Sequence, residues 1–171
     1  TLAPMIDFKN KLVPLIETSR AIETVTQIAA FKDVVGLFFG AADASASLGC
    51  KLAWEPLLYA RHRVVLAASM FNLFTIDAPY FYIDKMAGLK EEAEAVKNLG
   101  FTGKAAIHPD QIDYINEAFS PSAEEKAEAK KVLEEYQKSG GGAIKVDGQM
   151  IDEPIAEAMR LKITLGEEEK K

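Results

Sequence analysis

The chain has 171 residues, 49% of them hydrophobic and 27% charged, which is enough apolar material for a sizeable globular core and excludes a disordered or fibrous class. Its net charge is −6, with 20 basic residues scattered among 26 acidic ones rather than grouped on a stripe, so no nucleic-acid partner is expected. A single cysteine, Cys50, leaves no internal disulfide or C-x-x-C site, and no apolar run approaches the ~20 residues that span a bilayer, so the expectation is a chain of the reducing cytoplasm with no membrane segment.

Leu12 to Ile16 (LVPLI) opens the chain as a short apolar run, with Pro14 as a weak point. Val34 to Phe39, Asn72 to Asp77 and Gly103 to Ile107 are three more such runs bounded by turn residues, and all four read as buried parallel strands. Helical periodicity fills the gaps at Ile22 to Phe31, Glu55 to Met70 and Leu89 to Leu99, the last closed by Gly100. A β-α-β-α-β-α-β order predicts a parallel sheet with right-handed crossovers, in which functional groups gather where strands end. His108-Pro109 starts a further helix to Phe119, and Ser122 to Glu125 is a capping-box pattern for a charged helix reaching Ser139. Gly140 to Gly142 is a break, Asp147-Gly148 marks a hairpin between Ala143 to Val146 and Gln149 to Ile151, and Glu153-Pro154 begins a helix through Leu165 that Gly166 should stop. The charged tail Glu167 to Lys171 reads as a frayed end. Two domains are expected, residues 1–120 and 121–171, the second a helix-hairpin-helix extension acting as a lid or subunit contact.

Glu17 ends the first strand and Asp43 follows the second, so both carboxylates should leave the sheet at one rim. Such a pair suits a hard divalent cation, because magnesium takes few protein ligands and keeps its other positions for water and substrate. The competing reading makes Glu17 a helix cap or partner of Arg20 and Asp43 a turn cap. Gly40-Ala41-Ala42-Asp43 reads as a small-residue loop whose N–H groups could approach an anion. GFTGK at Gly100 to Lys104 lacks the spacing of a phosphate loop, and Lys104 is expected at strand entry, far from chemistry. His62 carries no role, His108 either contacts a ligand or donates to a backbone carbonyl, and Asp77 caps a turn. Asp152 alone reads as a helix N-cap.

Taken in order, PLIETSR, FFGAADASASLG, FTIDAPYFYID, GFTGKAAIHPDQI, INEAFSPS and GQMIDEP resemble the citrate lyase β-subunit family of the phosphoenolpyruvate/pyruvate barrel superfamily, across Leu12 to Ala158. The GAAD, IHP and MIDEP pieces look closer to malyl-CoA and citramalyl-CoA lyases. The resemblance implies an α/β fold, the C-terminal half of a (β/α)8 TIM barrel. It also implies a magnesium-dependent carbon–carbon lyase acting on a β-hydroxyacyl thioester, either an acyl-CoA or an acyl-carrier thioester, with an α-keto acid as co-product. In that reading Glu17 and Asp43 hold Mg²⁺, the N–H groups of Ala42 and Asp43 hold the keto-acid carboxylate, and Asp152 protonates the product carbon from a neighbouring subunit of a homotrimer or hexamer. Two departures stand out: many members carry glutamate where Ala42 stands, and the family's first four strands, with a substrate-binding arginine, have no counterpart here. A start at Thr1 without methionine fits a fragment that is inactive in isolation. A non-catalytic acyl-CoA-binding remnant and a class II pyruvate aldolase of the same superfamily are the alternatives.

Overall fold

The computed structural model describes residues 11–140 and 142–168, with side chains placed up to residue 160. The start at Thr1 lies outside the described residues, as do residues 169–171 of the charged tail. Contacts divide the chain into two compact units, Thr1–Phe119 and Ser120–Lys171.

The first unit is a four-stranded parallel sheet in the order β1-β2-β3-β4, formed by Leu15–Ile16, Gly36–Phe39, Phe74–Asp77 and Gly103–Lys104. All four strands are shorter than the apolar runs that predict them. Pro14 has no N–H to give and can only accept, here from the Phe38 amide at 2.9 Å, so pairing upstream of β1 survives only as a single bridge between Leu12 and Val34. Helices α1 (Ser19–Glu23), α2 (Val25–Ala29), α3 (Ala41–Leu48), α4 (Trp54–Met70) and α5 (Met86–Leu99) fill the crossovers. The helix expected from Ile22 to Phe31 is therefore two short helices broken at Thr24, whose hydroxyl donates to the Arg20 carbonyl at 2.8 Å. Of the loop expected at Gly40 to Asp43, only Gly40 lies outside a helix: Ala41–Leu48 is helical, and Gly49 ends it in the left-handed region at φ 68°.

Alternation along the strands splits the sheet into two faces. Ile16, Leu37, Phe39, Thr75, Asp77 and Lys104 are all buried on one. Against this face α4 lays Leu57, Ala60, Arg61, Val64, Ala67 and Ala68, at the three-four spacing of one helical side. The opposite face carries Leu15 and Phe74, which stay 45% and 40% exposed. Gly36 lies beneath the Phe74 ring, where a Cβ would collide with it. After β4 a 3-10 turn at Pro109–Gln111 leads into α6 (Ile112–Phe119).

The second unit holds α7 (Ala123–Lys138), an antiparallel pair β5 (Ile144–Val146) and β6 (Gln149–Ile151), and α8 (Glu153–Glu168), which runs past Gly166 instead of stopping there. Val132, Leu133, Tyr136, Val146, Ile151 and Ala156 form its small core. Asp147 and Gly148 both have positive φ, 48° and 89°, as a two-residue turn between right-twisted strands requires.

Candidate metal and anion site

β1 and β2 run side by side, with Ile16 opposite Phe39, so the next residues, Glu17 and Gly40, are neighbours at the sheet's C-terminal rim. The Gly40 amide closes the pairing by donating to the Ile16 carbonyl at 3.0 Å. A Cβ on Gly40 would stand 2.7 Å from the Glu17 Cβ and 3.0 Å from its Oε2. The Glu17 side chain therefore lies across bare glycine backbone, in space that any other residue would occupy.

Gly40 is also the N-cap of α3 and supplies no side-chain cap. The first-turn N–H groups of Ala41, Ala42 and Asp43 have no acceptor within their own helix, and the positive end of the helix dipole faces the same rim. Asp43 sits in that first turn, exposed, beside Glu17. Burial pushes the Glu17 carboxyl above its ordinary range, and the Asp43 charge and a hydrogen bond with the Asp43 side chain add to the rise. Thr18 rather than Glu17 caps α1, its hydroxyl accepting from the Ala21 amide at 3.1 Å. Ser19 donates from its amide to Ser47 Oγ at 2.9 Å and from its hydroxyl to the Ser47 carbonyl at 2.9 Å, which ties the loop after β1 to the far end of α3. The structure thus brings Glu17, Ala42 and Asp43 together.

Two carboxylates forced into contact repel, and one divalent cation between them removes the repulsion. No group of three or more histidine, cysteine, aspartate or glutamate residues suited to a metal occurs among the described residues. The donor set is thus two hard oxygens, which fits an ion that retains water, as magnesium does, and does not fit zinc.

Asp152 belongs to the second unit. Half-buried, it caps α8, its Oδ1 accepting from the Ile155 amide at 3.3 Å and its carbonyl from Ala156 at 2.9 Å.

Three expectations need correction. Asp77 is not a turn cap: it is fully buried, with Oδ1 2.9 Å from Arg61 Nε and Oδ2 2.9 Å from Lys104 Nζ. Lys104 is not a strand-entry residue: it ends β4 in register with Asp77, and its buried ammonium also donates to the Ala78 carbonyl at 2.6 Å and to Glu92 at 2.7 Å. His108 does not donate before the proline: exposed, it accepts at Nδ1 from the Asp110 amide at 3.3 Å. Gln111, also fully buried, joins the loops after β3 and β4, donating to the Tyr80 carbonyl at 2.8 Å and accepting from the Ile107 amide at 2.9 Å. Arg61 escaped sequence reading because Arg61-His62-Arg63 looks like a solvated turn of helix. The available signal was its position on the apolar side of α4, three residues before Val64 and four after Leu57.

The family described as HpcH/HpaI aldolase/citrate lyase matches residues 8–109. Human mitochondrial citramalyl-CoA lyase is 36% identical over 170 residues, covering 90% of this chain and 49% of the relative. Citrate lyase subunit beta of Haemophilus influenzae is 32% identical over 158 residues, covering 89% and 54% respectively. Among solved structures, CitE from Mycobacterium tuberculosis in complex with magnesium, acetoacetate and coenzyme A superposes with a TM-score of 0.84 at 32% identity, over 93% of this chain and 62% of that one. The chain spans about half the length of the curated relatives it matches.

Proposed function

Because this chain belongs to the HpcH/HpaI aldolase/citrate lyase family, we propose that it carries the metal-binding half of a magnesium-dependent carbon–carbon lyase. The reaction is cleavage or formation of a β-hydroxyacyl thioester, such as malyl-CoA, citramalyl-CoA or a citryl thioester, with an acyl thioester and an α-keto acid as the other side. The observation that carries the reading is the contact between Glu17 and Asp43 across Gly40 at one strand-end rim. The likeness to a lyase-family structure named with magnesium and coenzyme A supports it. The four parallel strands are half of a (β/α)8 barrel, and the active enzyme needs the strands that would close it.

In this reading Glu17 and Asp43 hold Mg²⁺, which when bound supplies Lewis-acid charge to the oxygens of the departing oxo-acid. The N–H groups of Ala42 and Asp43 donate to the keto-acid carboxylate, helped by the α3 dipole. In the cleavage direction the hydroxyl proton passes to solvent water, the carbon–carbon bond breaks with its electron pair going to the thioester α-carbon as the keto C=O forms, and Asp152 gives that carbon a proton. Asp152 serves the site of a neighbouring subunit in a homotrimer or hexamer. The human relative is named mitochondrial, so the cytoplasm is not singled out. No described helix is long and apolar enough to cross a membrane.

Calorimetric Mg²⁺ titration of this chain tests the centre without catalysis: Glu17→Gln and Asp43→Asn should each weaken binding about tenfold or more. Wild-type affinity in both variants would remove the centre. Because only about half of each curated relative is spanned, a thioester-binding remnant without turnover is the second reading. Turnover of malyl-CoA or citramalyl-CoA by the chain joined to complementary barrel strands rules that out, and cleavage of free hydroxy-keto acids without CoA would favour the aldolase.

A further inference from the structure

Beside the rim, but on the helix-covered side of the sheet, lies a cavity of about 250 Å³ framed by the loops after β2 and β3 and by the start of α4. Arg61 lines it. The guanidinium lies over the rings of both Phe39 and Trp54, its Cζ 5.2 Å and 4.7 Å from the two ring centroids, and its Nε is spent on Asp77 at 2.9 Å. Its Nη1 is sealed from solvent and has no hydrogen-bond partner.

The charges around it do not explain that orphan. Asp77 is shared, one oxygen to Arg61 and the other to Lys104, and Glu92 at the cavity edge is neutralised by Lys104 at 2.7 Å. An arginine stays protonated wherever a protein is folded, so a buried donor on it is a standing cost until an acceptor arrives. The end of a guanidinium matches both oxygens of a carboxylate. The other walls are rings: Trp54, Tyr80, Phe81 and Tyr82. Burial and the nearby Glu92 charge push the Tyr80 phenol above its ordinary value, so it stays neutral and does not repel an anion. A cavity of about 150 Å³ already holds benzene, so this one has room for an apolar body with a carboxylate attached.

We propose that this cavity is a binding site for a small organic carboxylate with an apolar body, its carboxylate on Arg61 and its body against Trp54 and Tyr80. The site stands on its own residues and does not depend on the magnesium reading. Trp54 is the chain's one tryptophan, so its fluorescence reports this cavity alone. With a chelator present to keep metal away from Glu17 and Asp43, benzoate should change Trp54 emission saturably, and benzamide, the uncharged isostere, should bind about tenfold more weakly or worse. Arg61→Met strands Asp77 and is a poor probe, so the variant of choice is Ala53→Phe, which fills the cavity from an exposed position. It should keep the far-UV circular dichroism and abolish the benzoate response. The indole N–H resonance of Trp54 should shift with benzoate in the unaltered protein. Linear, unsaturable quenching, equal binding of benzamide, an undiminished response in Ala53→Phe, or an unmoved indole signal would each overturn the assignment.

Discussion

At Gly40 a hydrogen atom in place of a side chain keeps the candidate centre open. Gly40→Ala should displace Glu17 from Asp43 and lower Mg²⁺ affinity about tenfold or more while leaving the circular dichroism unchanged; calorimetry beside a spectrum checks both halves. Asp77 makes the opposite point, since its charge is structural. Asp77→Ala leaves Arg61 and Lys104 without their shared anion in the interior, and urea unfolding should show a loss of about 3–5 kcal/mol. Sequence reading found the rim acids because a polar residue ending an apolar run is conspicuous. It missed the buried ion network because Asp77 ends its strand in the same conspicuous way yet points to the opposite face. Which face an acid takes is a matter of register, and register belongs to the pairing of two strands.

Among the elements, those with local chemistry were legible. Helix α7 starts where Ser122 and Glu125 exchange hydrogen bonds, Ser122 accepting at 3.1 Å and donating from its amide at 2.9 Å. Ser122→Ala should cost about 1 kcal/mol, read from the urea midpoint. The Glu124 carboxyl beside it is held below its ordinary value of 4.5 by its own backbone amide and then by Ser122. A carboxyl lowered in the folded state adds stability above its unfolded pKa and loses it as pH falls through the folded one, so acid titration should loosen the start of α7 below pH 4.5. Helix α3 was harder to see. Ala41 to Leu48 is rich in alanine, the best helix former, but the preceding glycine and the small side chains match an anion-binding loop equally well. The two readings agree about the N–H groups and differ about what orders them.

For the whole first unit, the sheet has one helix-covered face and one that leaves Leu15 and Phe74 part-exposed. Taken alone, the chain should bind a hydrophobic dye such as anilinonaphthalene sulfonate with native far-UV circular dichroism, and absence of dye fluorescence would mean that face is covered. By itself the sequence determined the alternation of strands and helices, the parallel sheet, the family and the pair of rim acids, because each is written in local periodicity or in motifs a few residues long. Only the tertiary structure decided that Asp77 is locked between Arg61 and Lys104 rather than facing the rim. It also decided that α3 is a helix whose free amides meet Glu17, and that a ring-walled cavity leaves one guanidinium nitrogen without an acceptor. Those facts depend on which residues distant in the chain become neighbours, and that is set by packing the sheet against its helices.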